Sequence, residues 1–219
     1  MSAIINLLKE KKDKKNKSEP VTPRNNGWII KKLTQAELDF VWYCIDKKRE
    51  DTNKIQYNLA GNITSSYELK DHQNLFWNSI ANPLVKDYQH YYKDDNKGKL
   101  HLRNWWVNYQ NETEFNPLHR HTGVYSFVIW LKIPTNYEDQ KKLPIARTSN
   151  SSAISNFVFT YTDILGEVRS MSYEMNSKVE GKMVLFPSSL NHQVYPFYNC
   201  DETRVSVSGN IVPSVVSLR

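Results

Sequence analysis

The sequence predicts a mainly β protein, an antiparallel sandwich or barrel with a helical layer on its N-terminal side. Three observations predict it. From about Leu100 onward, roughly eight short β-rich runs follow one another over about 110 residues, with no long helical pattern between them. Ahead of them lie two segments whose apolar residues recur at the helical period. The 13 Tyr, 8 Phe and 6 Trp among 219 residues supply large apolar surface for a packed core rather than a disordered chain.

The first element is a charged run, Lys9 to Lys17 (KEKKDKKNK). Such a run is a solvated tail, or a basic arm that neutralises phosphate charge. No zinc finger, helix-turn-helix spacing or RNP-type aromatic motif accompanies it, so nucleic-acid contact is confined to this tail. Residues 1–22 are read as a basic, flexible tail and 23–219 as one domain, with a helical layer over 23–98 and a β core over 99–213. Thr34-Gln-Ala-Glu37 is a capping box, and Leu38, Val41, Trp42 and Ile45 behind it form the apolar stripe of an amphipathic helix. Tyr57 to Ile63 is a polar connector with room for a short strand. Ser65-Ser-Tyr-Glu68 reads as a second capping box. It opens a helical segment to about Lys93 with Leu69, Phe76, Ile80, Leu84, Tyr88 and Tyr91 at helical intervals, kinked or divided by Pro83.

The strands follow. His101 to Tyr109 is β-rich, and Tyr125 to Pro134 is almost continuously apolar, the pattern of a strand covered on both faces. Asn156 to Tyr161 alternates, with Phe157, Phe159 and Tyr161 on one face. Val168 to Met175, Lys178 to Phe186, His192 to Tyr195 and Thr203 to Val212 follow as further β-rich runs. Between two of these runs, the polar segment Tyr137 to Ser152 is a candidate loop or lid.

Composition excludes several classes. No run of eighteen apolar residues exists, so no membrane span is expected, and no apolar stretch after Met1 suggests a secretory leader. Two cysteines, Cys44 and Cys200, cannot build a disulfide framework or a cysteine zinc site, and a reducing, cytoplasmic compartment is expected. Seven glycines without a Gly-rich phosphate loop remove the usual nucleotide-binding readings.

Six histidines occur, and His119-Arg120-His121 is the informative pair. Residues i and i+2 of a strand share a face, so two imidazoles there can converge on one ion; two surface imidazoles that merely alternate fit the pattern too. A third, His192, stands on the turn after the apolar run Met183 to Pro187, and Arg204 follows twelve residues later. In Thr203 to Asn210, valines 205 and 207 take one face, and Arg204, Ser206, Ser208 and Asn210 take the other. A buried row of Arg, Ser, Ser and Asn calls for a polar ligand, and a guanidinium there calls for a carboxylate or phosphate. Alternation equally allows Arg204 on the rim with the valines in the core.

His119-x-His121, His192 and Arg204-x-Ser206 have the layout of the Fe(II)/2-oxoglutarate-dependent oxygenases. With Trp106-Val-Asn108, Asn116-Pro-Leu-His119, Val124-Tyr125 and Gly181 to Pro187, they resemble the putative 2OG-Fe(II) oxygenase branch common in bacteria and tailed phages. The resemblance covers about residues 100 to 212. It implies a double-stranded β-helix, a jelly roll with a cupin-like barrel. It further implies an enzyme in which His119, His121 and His192 hold Fe(II) and Arg204 clamps the far carboxylate of 2-oxoglutarate. Ser206, Asn108 and Tyr109 would add hydrogen bonds to the cosubstrate, and Trp106 and Tyr125 would wall the substrate pocket. The implied reaction uses O2 to hydroxylate a C–H bond of a primary substrate, of which an amino-acid or peptide side chain is one class, releasing succinate and CO2. His121 stands where relatives carry a carboxylate, so it is either a third imidazole ligand or a neighbour of the metal with water in its place. Glu112 and Glu114 lie upstream in an expected loop.

Two other readings stay open. Cupins also use His-x-His and a later His, but they place a Glu where this chain has Val124 or Tyr125, and they have no use for Arg204. A non-enzymatic binding barrel would use the aromatic residues and the basic tail for a partner, leaving the histidines incidental. The primary substrate is not legible in the sequence.

Overall fold

A computed structural model describes residues 26–48, 55, 59–94 and 98–214. The basic tail over 1–22, and Tyr57 and Asn58 of the connector, lie outside the described residues. Among the described residues, ten strands form two antiparallel sheets. They are β1 (Ile29–Lys32), β2 (Ser65–Glu68), β3 (Leu100–Gln110), β4 (Asn116–His119), β5 (Tyr125–Lys132), β6 (Phe157–Thr162), β7 (Val168–Tyr173), β8 (Lys182–Pro187), β9 (Asn191–Val194) and β10 (Arg204–Pro213). The major sheet runs β1-β8-β5-β10-β3-β2, and the minor sheet runs β4-β9-β6-β7. Helices α1 (Gln35–Lys48) and α2 (Asn82–Tyr92) belong to the N-terminal layer, and the short α3 (Tyr137–Gln140) and α4 (Pro144–Arg147) lie in the polar segment expected as a loop. Among the described residues, no helix is long and apolar enough to cross a membrane.

The expected double-stranded β-helix is present as two antiparallel sheets that face each other as separate ladders and do not close into one barrel. What the sequence shows of their faces follows from period-2 alternation. In β5, Tyr125, Phe127, Ile129 and Leu131 enter the core beneath the helices, and Val128 and Trp130 enter the core between the sheets. Both faces of this strand are covered, which is why it reads as an unbroken apolar run. β8 divides likewise, Met183 and Leu185 toward the helices and Val184 and Phe186 toward the minor sheet. In β10, Val205, Val207 and Ile211 pack under the helices. Arg204, Ser206 and Ser208 are thereby turned toward the space between the sheets, where they line a cavity.

The N-terminal layer departs from expectation at one point. The first capping box forms as read: Thr34 N donates to Glu37 Oε2 at 2.8 Å, and Glu37 N donates to Thr34 Oγ1 at 3.3 Å. The second does not. Ser65 to Glu68 is strand β2, paired with β3 from Ser65↔Tyr109 to Glu68↔Trp106. Ser66 is buried and donates to Asn108 Oδ1 at 2.8 Å, and Tyr67 meets Tyr109 edge-on at 6.0 Å, contacts a helix at this site would lose. Helical structure starts later. The Asp71 carboxylate accepts from Phe76 N at 2.8 Å and Trp77 N at 2.9 Å, a π-helical turn spans Trp77–Ala81, and α2 then begins with Pro83 in its first turn. The connector contributes one isolated bridge, Asn62↔Phe115. Strand β1, with the short pattern IIKK, carries no strand signal strong enough to be read from sequence.

Candidate metal centre and adjoining cavity

His119 closes β4, and its register partner across the minor sheet is His192 of β9. Direct pairing sets their ring centroids 4.3 Å apart. His121 lies beyond the strand. Its backbone N–H donates to Ser188 O at 2.9 Å, which folds the chain back so that the third ring lies 5.0 Å from each of the other two. Gly123 makes the turn possible. Its φ is +127°, and a Cβ there would stand 2.9 Å from Ile211 O. One ring nitrogen of each histidine lies within 4.8 Å of the others, a separation that one ion bridges.

Two tautomers are fixed by the backbone. His119 Nδ1 lies 2.7 Å from Pro117 O and His192 Nδ1 lies 3.0 Å from Leu190 O. A carbonyl only accepts, so each Nδ1 carries the proton and each Nε2 keeps a lone pair free. Burial disfavours the charged rings and lowers all three pKa values, to about 4 for His121 and about 3 for His192, with the neighbouring imidazoles adding to the effect on these two. At neutral pH the cluster is three uncharged donors, the state in which imidazole binds a metal. It holds no carboxylate among the described residues. Glu114 is taken by Thr64 and by Asn111 N, and Glu112 accepts from Asn199 N, so both upstream acids fasten turns.

Arg204 opens β10 opposite Gln110 and is 2% exposed. Its Nη2 donates to Ser155 Oγ at 2.7 Å, and its guanidinium carbon lies 4.8 Å from the Phe197 ring. Nε and Nη1 are buried without a partner. Burial pulls its pKa down to about 9, still charged at neutral pH. A buried cation with two unspent donors is costly unless an anion completes it. Arg204 and the three histidines line one cavity together with Asn108, Ser206 and Trp106. Asn108 and Ser206 are register partners on the inner face of β3 and β10. This donor set fits a divalent metal beside a dicarboxylate: three neutral ring nitrogens at one end, and an uncompensated guanidinium in the same enclosure.

The structure does not bring Tyr109 and Tyr125 to this cavity. Each sits on the helix side of the major sheet, Tyr109 against Tyr67, and Tyr125 against Tyr88 with its hydroxyl donating to Asp94 Oδ2 at 2.5 Å. Alternation requires this, since Asn108 and Ser126 beside them point inward. Sequence reasoning missed Ser66 and Ser155, which hold Asn108 and Arg204 from 42 and 49 residues away. No local pattern marks either residue.

Residues 104–210 match the family described as Putative 2OG-Fe(II) oxygenase. No curated protein matches the chain. Solved structures of like fold include a prolyl-4-hydroxylase from Pseudomonas putida, 12% identical over 86% of this chain and 94% of that one, with a TM-score of 0.52. A viral collagen prolyl hydroxylase from Paramecium Bursaria Chlorella virus-1, in its 2OG complex, is 10% identical over 84% and 94%, with a TM-score of 0.51. HygX from Streptomyces hygroscopicus, with nickel, 2-oxoglutarate and hygromycin B bound, is 9% identical over 87% and 84%, with a TM-score of 0.55. At such identities the likeness establishes the double-stranded β-helix fold. The family match is the more specific finding, because its span includes every residue that lines the histidine and arginine ends of the cavity on β3, β4, β9 and β10. Residues 104–210 are therefore similar to the 2OG-Fe(II) oxygenase family, whose members are oxidoreductases that work with Fe(II) and 2-oxoglutarate.

Proposed function

We propose that this protein hydroxylates a C–H bond of a primary substrate while 2-oxoglutarate is oxidatively decarboxylated. One oxygen atom of O2 enters the substrate as hydroxyl, the other enters succinate, and the C1 carboxyl leaves as CO2. Fe(II) with the keto-acid supplies the oxidising chemistry. The chain binds and orients. His119, His121 and His192 offer three neutral nitrogens to the metal, and Arg204 offers its unspent donors to the carboxylate far from the keto group. Asn108 and Ser206 line the inner wall, and Trp106 and Trp130 make the enclosure apolar enough to exclude water. The observation that carries the reading is Arg204, whose buried Nε and Nη1 have no partner and whose cavity also holds the three histidines.

A cupin-type metal barrel would leave that guanidinium without a task. The two positions where a cupin would place its glutamate hold Val124 and Tyr125, and Tyr125 turns its hydroxyl to Asp94 on the other face. As primary substrate we propose first an amino-acid or peptide side chain, because two structures of like fold are prolyl hydroxylases. Both cysteines are free, which suits a reducing compartment. The test is succinate release from 2-oxoglutarate by the ferrous protein in air, across peptides, amino acids, small metabolites and nucleic acids. One class is expected to raise succinate and to gain one oxygen per succinate formed. Succinate that stays at the level of free iron throughout would contradict the reading.

A further inference from the structure

Among the described residues, the Arg204 side chain makes one hydrogen bond, to a hydroxyl that sits where the backbone is strained. Ser155 is wholly buried, and its φ is +65°, a region that residues other than glycine and asparagine rarely occupy. The surrounding structure enforces the conformation. Ser155 N donates to Pro196 O at 3.0 Å. Asn156, next to it, donates Nδ2 to Ser152 O at 3.1 Å, accepts from Met175 N on its side-chain oxygen at 3.4 Å, and accepts from Tyr195 N on its carbonyl at 2.9 Å. The hydroxyl of Thr135, at the other end of the same polar segment, lies 3.4 Å from Ser155 Oγ. Tyr137 donates across the base of that segment to Ser152 O at 2.8 Å. The two ends of the 135–155 segment therefore meet at Ser155, which alone of them reaches Arg204.

A Ser155 contributing only packing would have no reason to hold a left-handed backbone, since glycine takes that geometry without strain. The hydroxyl explains it. Ser155 Oγ accepts one N–H of Nη2 and so fixes the plane of the guanidinium while Nε and Nη1 stay unspent. Free rotation about the last side-chain torsions would otherwise have to be frozen when an anion binds. We propose that Ser155 is the positioning residue of the 2-oxoglutarate carboxylate clamp: it acts through Arg204 and sets cosubstrate affinity rather than metal affinity. The inference rests on the reading of Arg204 given under Proposed function.

Two variants separate this role from a structural one. Ser155→Ala removes the hydroxyl and keeps the strain, whereas Ser155→Gly removes the hydroxyl and relieves it. A hydrogen bond to a charged group is worth enough that its loss is expected to weaken 2-oxoglutarate binding by about ten-fold or more in both variants. The probes are Mn(II), titrated calorimetrically, and then 2-oxoglutarate, titrated into the Mn(II)-loaded protein. Mn(II) affinity is expected to stay within about two-fold of wild type, and Ser155→Gly is expected to melt no lower than wild type. In turnover, KM for 2-oxoglutarate should rise while kcat at saturation holds. A Ser155→Gly protein that binds 2-oxoglutarate as tightly as wild type overturns the inference and leaves the clamp standing, as does an equal loss of Mn(II) affinity in both variants. Wild-type protein that ignores 2-oxoglutarate removes the reading of Arg204, and the role of Ser155 with it.

Discussion

His119 and His192 each spend Nδ1–H on the carbonyl two residues upstream, Pro117 O and Leu190 O. This i−2 device aims both Nε2 atoms before any metal arrives, so the ordering entropy is met during folding. Burying three imidazoles also has a measurable consequence. Each has a folded-state pKa below its ordinary value, so the unfolded chain binds protons first. Stability from this source is complete above the unfolded value of about 6.5 and is lost progressively as pH falls toward about 4 for His121 and about 3 for His192. Metal-free protein is therefore expected to lose denaturation midpoint steadily from pH 6.5 to 4, and a His121→Ala/His192→Ala double variant should show a shallower slope there. Equal slopes would mean that the rings are not buried neutral. Arg204 offers a second test with opposed signs. Its buried charge has no carboxylate partner among the described residues. Arg204→Met should therefore raise the stability of the metal-free protein by about 1–3 kcal/mol while weakening 2-oxoglutarate binding by at least about a hundred-fold. Loss of stability together with unchanged affinity would assign Arg204 to the fold instead of the ligand.

At the scale of elements, alternation is what converts strand pattern into site. β10 sends Val205, Val207 and Ile211 to the helices and Arg204, Ser206 and Ser208 to the cavity. A slip of one residue in its pairing with β3 and β5 would exchange the two sets. Gly209 sits within this strand where Phe127 crosses it. A Cβ there would meet the Phe127 ring at 2.5 Å and Asn104 O at 2.9 Å, and the second contact is backbone. Gly209→Ala is expected to destabilise by roughly 1–3 kcal/mol at unchanged m-value in chemical denaturation; no change in midpoint would show that the two strands part easily. The same alternation explains what the sequence could and could not tell. The unbroken run of β5 and the split faces of β10 were legible because each strand carries its own pattern. Adjacent residues of a strand face opposite ways, so Asn108 lines the cavity while Tyr109 and Tyr125 lie on the helix side. Ser65 to Glu68 satisfies a helix-capping pattern and a strand equally well over four residues, and only pairing with β3 decides between them. Ser66 and Ser155 were invisible because their partners are set by tertiary pairing.

For the whole molecule, the N-terminal layer and the second sheet divide the work. Leu33, Val41, Ile45, Phe76, Leu84 and Tyr88 cover the outer face of the major sheet, and Phe76 stacks on Trp105 at 4.2 Å. With the outer face supplying burial, the inner face of β3 and β10 can carry Asn108, Ser206 and Arg204, a polar row that a two-layer sandwich relying on that face for its core would not tolerate. The order of His119, His121, His192 and Arg204 along the chain was readable in advance. Their convergence required β4 to pair with β9 and β10 to face that pair. The central claim is that the histidine cluster and Arg204 act on one ligand set. It is tested most directly by adding 2-oxoglutarate to the Fe(II)-loaded protein without oxygen and recording the visible spectrum. A saturable charge-transfer band is predicted, absent from the same titration of His192→Ala and shifted to much higher 2-oxoglutarate concentration in Arg204→Met. An iron-loaded protein whose spectrum does not respond to the keto-acid, or a band as strong in both variants as in wild type, would contradict it.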